Sequence, residues 1–89
     1  MTLRIQKSEN GGVVVFTLSG RIRAEEVEEL QRLFEAEGEG QRIALDLRDV
    51  KLVDRDAVRF LARCEANGTK LENCPAYIRE WILREGFRK

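Results

Sequence analysis

Leu45-Asp46-Leu47-Arg48-Asp49-Val50-Lys51-Leu52-Val53-Asp54-Arg55-Asp56-Ala57-Val58-Arg59-Phe60-Leu61 decides the reading of this chain. Its opening, with Arg42-Ile43-Ala44 before it, is short and apolar enough to lie inside a sheet, so a strand is expected over residues 42–47. An acidic turn follows, and Asp54 then stands where a helix N-cap belongs, its carboxylate able to accept from the exposed amides of the first turn. From there Ala57, Val58, Leu61, Ala62 and Cys64 recur at helical spacing, while Arg55, Arg59 and Arg63 repeat every four residues. This helix has a dry side and a basic side.

Toward the N-terminus, residues 3–7 alternate as a half-buried strand does, and Asn10-Gly11-Gly12 supplies the positive φ that a tight hairpin needs. The β-branched run Val13-Val14-Val15-Phe16-Thr17-Leu18 returns as a central strand, and Ser19-Gly20-Arg21-Ile22-Arg23 reads as a connector. Val27, Leu30, Leu33 and Phe34 then mark a helix over residues 24–37, with glutamates in its first turns facing the positive end of the helix dipole and Gly38 as its stop. A crossover by this helix makes the strand at 42–47 parallel to the one before it. Toward the C-terminus, Asn67-Gly68 ends the arginine-striped helix and residues 69–72 give a brief fourth strand. Pro75 opens a last helix that carries Tyr77, Ile78, Trp81 and Ile82 inward.

Eighty-nine residues provide for one domain over residues 1–89, an α/β two-layer unit with a mixed sheet of about four strands and helices mainly on one face. Hydrophobic residues at 43% and charged residues at 36% fit a packed globular chain. No leader-like stretch opens the sequence and no segment nears the ~18 apolar residues of a membrane span, so a cytoplasmic protein without membrane insertion is expected. Cys64 and Cys74 have no metal-site or redox spacing, and the absence of histidine removes the commonest general base near neutral pH. The acidic pairs Asp46 with Asp49 and Asp54 with Asp56 have no phosphate-cradling loop or nucleophile beside them, so neither an enzyme nor a cofactor is expected. Net charge is zero, yet residues 24–39 hold seven glutamates against one arginine, which leaves the rest of the chain basic. That polarity can orient a protein partner. A pI near 6.3 without a basic run speaks against nucleic acid.

Taken together, Val15-Phe16-Thr17-Leu18-Ser19-Gly20-Arg21-Ile22, Ile43-Ala44-Leu45-Asp46-Leu47, the stretch from Asp54 to Ala57, and Gly68 to Asn73 resemble the STAS family over residues 3–85. That family typically has Asp-Ser-Ser/Thr-Gly opening its second helix. Here Asp54 matches, whereas Arg55 and Asp56 occupy the two hydroxyl positions and Ala57 the glycine. Typical members also continue into a fifth strand and a closing helix for which these residues have no counterpart. The resemblance implies a non-catalytic interaction module similar to an anti-sigma factor antagonist, docking on a serine-kinase-like ATPase or another regulatory protein. In the family, phosphorylation of the turn hydroxyl breaks that complex. At the matching positions this chain has no hydroxyl to phosphorylate.

The resemblance places partner binding on Arg23, Asp54, Arg55, Asp56, Arg59 and Arg63. Each residue also has a plainer reading: Asp54 as a helix cap, Asp56 as a dipole partner instead of a phosphate mimic, the arginines as a solvated face. Trp81 and Tyr77 are assigned to the core and Phe87 to an exposed end, with a homodimer left open. Two other roles fit the same resemblance: an accessory subunit of an ABC-type phospholipid transporter, and a small-ligand or nucleotide sensor.

Overall fold

In the computed structural model, which describes residues 3–38 and 40–87, with side chains only as far as Glu85 at the C-terminal end, the elements run β1 (Leu3–Asn10), β2 (Val13–Ile22), α1 (Ala24–Ala36), β3 (Arg42–Val53), α2 (Arg55–Ala66), β4 (Lys70–Glu72) and α3 (Ala76–Phe87). Gly11 and Gly12, at φ 61° and 83°, make the two-residue turn that returns β2 antiparallel on β1, with Asn10 opposite Val13. After α1 the chain comes back parallel, β3 on β2 and β4 on β3, so the strand order is β1-β2-β3-β4.

Two stretches expected as connectors are strand. Residues 19–22 and 48–53 pair with each other, Ser19 with Asp49, Gly20 with Val50, Arg21 with Leu52 and Ile22 with Val53. Register shifts between Thr17 and Ser19 and between Gly20 and Arg21 break the strict alternation that marks a strand in sequence. The irregular stretch lets Val50 and Val53 stay buried while Arg48, Asp49 and Lys51 remain in water, and Gly20 takes the φ of 101° found there. As a result β2 and β3 end side by side, and both following helices start from the same corner.

The inner face of the sheet presents Val14, Phe16, Leu18, Leu45 and Leu47, all at or near complete burial. Against it pack Val27 and Leu30 of α1, Ala57, Val58, Phe60, Leu61 and Cys64 of α2, and Ile78 and Ile82 of α3, so the helices cover one face. Phe34 joins the layers, with its ring centroid 5.3 Å from that of Phe16 and 5.7 Å from that of Phe60. Burial of each such large side chain contributes about 1.5–3 kcal/mol. At the sheet edge Lys7 reaches Glu37, just past the end of α1, at 2.7 Å.

The last helix departs from expectation at Pro75, Tyr77 and Phe87. Pro75 precedes α3, its carbonyl accepting from the amides of Ile78 and Arg79. Tyr77, assigned to the core, is 46% exposed, because its hydroxyl donates to the Val50 carbonyl at 3.4 Å along the margin of β3 instead of entering the apolar layer. Trp81 is half-buried against the core. The backbone of Phe87 belongs to α3 and not to a tail. The expected exposure of the Phe87 side chain, and Arg88-Lys89, lie outside the described residues. No helix among the described residues is long and apolar enough to cross a membrane.

Candidate functional site: the shared start of two helices

Parallel neighbours ending together put Arg23 and Asp54 at matching positions, each in extended backbone immediately before a helix. The Asp54 amide donates to the Ile22 carbonyl at 3.2 Å, tying the two strand ends. Its carboxylate then serves both helices. Oδ1 accepts from the Ala57 amide at 2.9 Å, the expected N-cap of α2, and Oδ2 accepts from the Ala24 amide at 3.0 Å, the first amide of α1. Arginine has no side-chain acceptor, so Arg23 cannot cap its own helix. Asp54 does so from the neighbouring strand, while Glu26 Oε1 accepts from the Arg23 amide at 2.9 Å.

Around this anchor the corner is charged. Arg55 and Asp56 stand exposed in the first turn of α2 at the positions discussed above. Arg59 lies about one turn further along and Arg63 about 12 Å beyond Arg55, at 1.5 Å per residue. Arg23, Asp54, Arg55 and Asp56 are thus brought to one corner, whereas Arg59 and Arg63 extend it down the helix. Thr17 and Ser19, hydroxyls of the neighbouring strand, are half-buried on β2.

Sequence reasoning missed Glu85. From α3 it meets both arginines, Oε2 lying 3.9 Å from Arg55 Nε and Oε1 3.5 Å from Arg59 Nε. Its side chain is only 10% exposed against 59% and 57% for theirs. The signal was available: Glu85 continues the inward stripe of Ile78 and Ile82, and an acid on such a stripe calls for a cation.

The corner holds charges and donors but no reactive constellation. Asp46 is occupied with structure, its Oδ1 accepting from the Arg48 amide at 3.1 Å and from Asn73 Nδ2 at 3.2 Å. Burial pushes the Cys64 thiol up to about 12 and raises that of Cys74 as well, which keeps both protonated and poorly nucleophilic at neutral pH. Among the described residues no cluster of three or more His, Cys, Asp or Glu side chains is placed to hold a metal ion.

The family model described as "Mlab, STAS domain" matches residues 5–74. The chain belongs to the STAS domain family. Solved structures agree on the fold. The STAS domain of an antisigma-factor antagonist from Rhodobacter sphaeroides superposes with a TM-score of 0.62 at 14% identity, over 81% of this chain and 87% of that one. A protein of the DUF3478 family from Shewanella loihica with a SpoIIAA-like fold gives 0.59 at 14% identity, over 96% and 76%. The murine solute carrier 26 family member A9 anion transporter, inward-facing, gives 0.62 at 20% identity over 86% of this STAS chain, which spans only 14% of the transporter's. No curated protein sequence matches.

Proposed function

We propose that this STAS domain is a non-catalytic docking module that binds a protein partner constitutively through the corner formed by Arg23, Asp54, Arg55, Asp56, Arg59 and Arg63. The observation that carries this reading is the replacement of both turn hydroxyls by Arg55 and Asp56 on a helix start that Asp54 otherwise holds in full. A corner built for docking but lacking the phosphoryl acceptor suits a resident subunit better than an antagonist that must cycle on and off. Of the roles that the STAS resemblance offers, the accessory subunit fits this choice, so we take the partner to be the ATPase of a phospholipid-transporting ABC assembly, with the domain on its cytoplasmic side. The likeness to the Rhodobacter antagonist supports a second reading, in which the same corner docks a kinase-like anti-sigma factor without phosphoryl control.

A tagged pull-down from the native host, comparing wild type with Arg55→Glu/Arg59→Glu and identifying retained proteins by mass spectrometry, separates these. An ATPase and permease held by the wild type and lost by the variant is the expected result. An anti-sigma factor lost by the variant keeps the corner and changes the partner. Subunits retained equally by both proteins would move docking elsewhere on the domain.

A further inference from the structure

Two open depressions lie between α2 and α3, one on each side of Glu85. The first, of about 350 Å³, is lined by Arg59, Ala62, Arg63 and Glu85; the second, of about 370 Å³, by Arg55, Trp81, Arg84 and Glu85. Apart from Glu85, every charged residue lining either depression is an arginine. Asp56 and Glu80 stand exposed nearby without lining them, and Glu80 is within 3.9 Å of Arg84. Neither contact of Glu85 is the short, two-pronged pairing that an arginine fork makes with a carboxylate. A single acid is therefore shared at long range between two arginines that remain more than half exposed.

We infer that this pair of depressions receives an acidic segment of the partner protein whose carboxylates take the place of Glu85 on Arg55 and Arg59, with Trp81 packing against an apolar side chain of the same segment. The inference rests on the docking reading above and extends its surface onto α3. Charge complementarity selects the occupant: Arg55 and Arg84 flank a half-buried Trp81 in one depression and Arg59 and Arg63 line the other, the residue types that dominate interface energetics, and Glu85 lines both. The opposite face of the sheet has a depression of about 440 Å³ where Arg42 and Lys70 stand beside Val13, Val15 and Ile43, but no aromatic side chain lines it and Glu72 already lies among its cations. Glu85 acts as an internal competitor, occupying one side of each arginine until a partner's acids replace it.

The test is an amide NMR titration of the full chain with a synthetic helical peptide carrying glutamates and one leucine on a single face. Its glutamine twin and inorganic phosphate are titrated in parallel. The glutamate peptide should shift the Trp81 indole and the amides around Arg55, Arg59 and Arg84, with the twin at least about tenfold weaker. Glu85→Gln should bind the peptide about two- to fivefold more tightly, the size of an exposed ion pair, whereas Arg59→Glu/Arg84→Glu should abolish binding. A purely structural Glu85 would give weaker or unchanged binding in Glu85→Gln and would overturn the inference. So would equal binding of the twin, the same shifts from phosphate, or shifts confined to the open sheet face. Amide dispersion in each variant reports folding independently. A partner captured through Arg55 and Arg59 while the peptide fails to bind would leave the docking corner standing and retire the groove alone.

Discussion

Asp54 is where the cap reading and the docking reading meet. One carboxylate accepts from the first turns of two helices, so its removal affects both. Asp54→Ala should cost about 1–2 kcal/mol for the α2 cap, with the lost Ala24 bond added to it. Asp54→Asn keeps one oxygen for the Ala57 amide but turns a donor toward Ala24, and should fall between the two proteins; urea midpoints at constant m-value check the order. Cys64 gives a second prediction. Its pKa rises on folding from 9.0 to about 12, so the folded state holds its proton longer than the unfolded one. The thiol's contribution to stability is complete below pH 9 and declines as the pH climbs toward 12. Stability curves of Cys64→Ala should accordingly be flatter than wild type across that window, a difference that separates Cys64 from the other groups titrating there. At this scale the sequence was legible where chemistry is local, as with Asp54. It was not legible for Tyr77, whose helical spacing matches Ile78 and Ile82 but whose hydroxyl finds a backbone carbonyl at the sheet margin.

At the scale of elements, strict periodicity determined what could be read. The hairpin, the two amphipathic helices and the parallel crossover follow from spacing and turn residues. The far halves of β2 and β3 do not, because bulges remove the two-residue alternation and leave a charged stretch that looks like a turn. These same irregular halves deliver Arg23 and Asp54 to one corner, so the least legible strand segments are the ones that place the site. The hairpin can be tested directly. Outside the adjacent residues, no heavy atom lies within 4 Å of a Cβ added at Gly11 or Gly12, so the cost of an added methyl is conformational. Gly12→Ala should cost about 1–2 kcal/mol, whereas Gly11→Asn, a residue that tolerates positive φ in such turns, should stay within about 0.5 kcal/mol of wild type in thermal unfolding.

For the whole molecule, all helices pack on one face of the sheet and bring an arginine-lined groove and a doubly capped corner to the same end of the domain. The charge polarity seen in the sequence is real, but its use depends on contacts between elements far apart in the chain. Glu85 reaches Arg55 and Arg59 across 30 and 26 residues, beyond any local pattern. Where the resemblance places the family's hydroxyls the chain has Arg55 and Asp56, so the proposed docking is one that nucleotide does not switch. The most direct measurement is the affinity of the purified domain for the ATPase proposed as its partner, with and without Mg·ATP, followed by intact mass of the domain. The account predicts the same affinity in both conditions, no added phosphate, and at least about tenfold weaker binding by Arg55→Glu/Arg59→Glu. Phosphate appearing on any hydroxyl of the domain, with release of the ATPase, would contradict it.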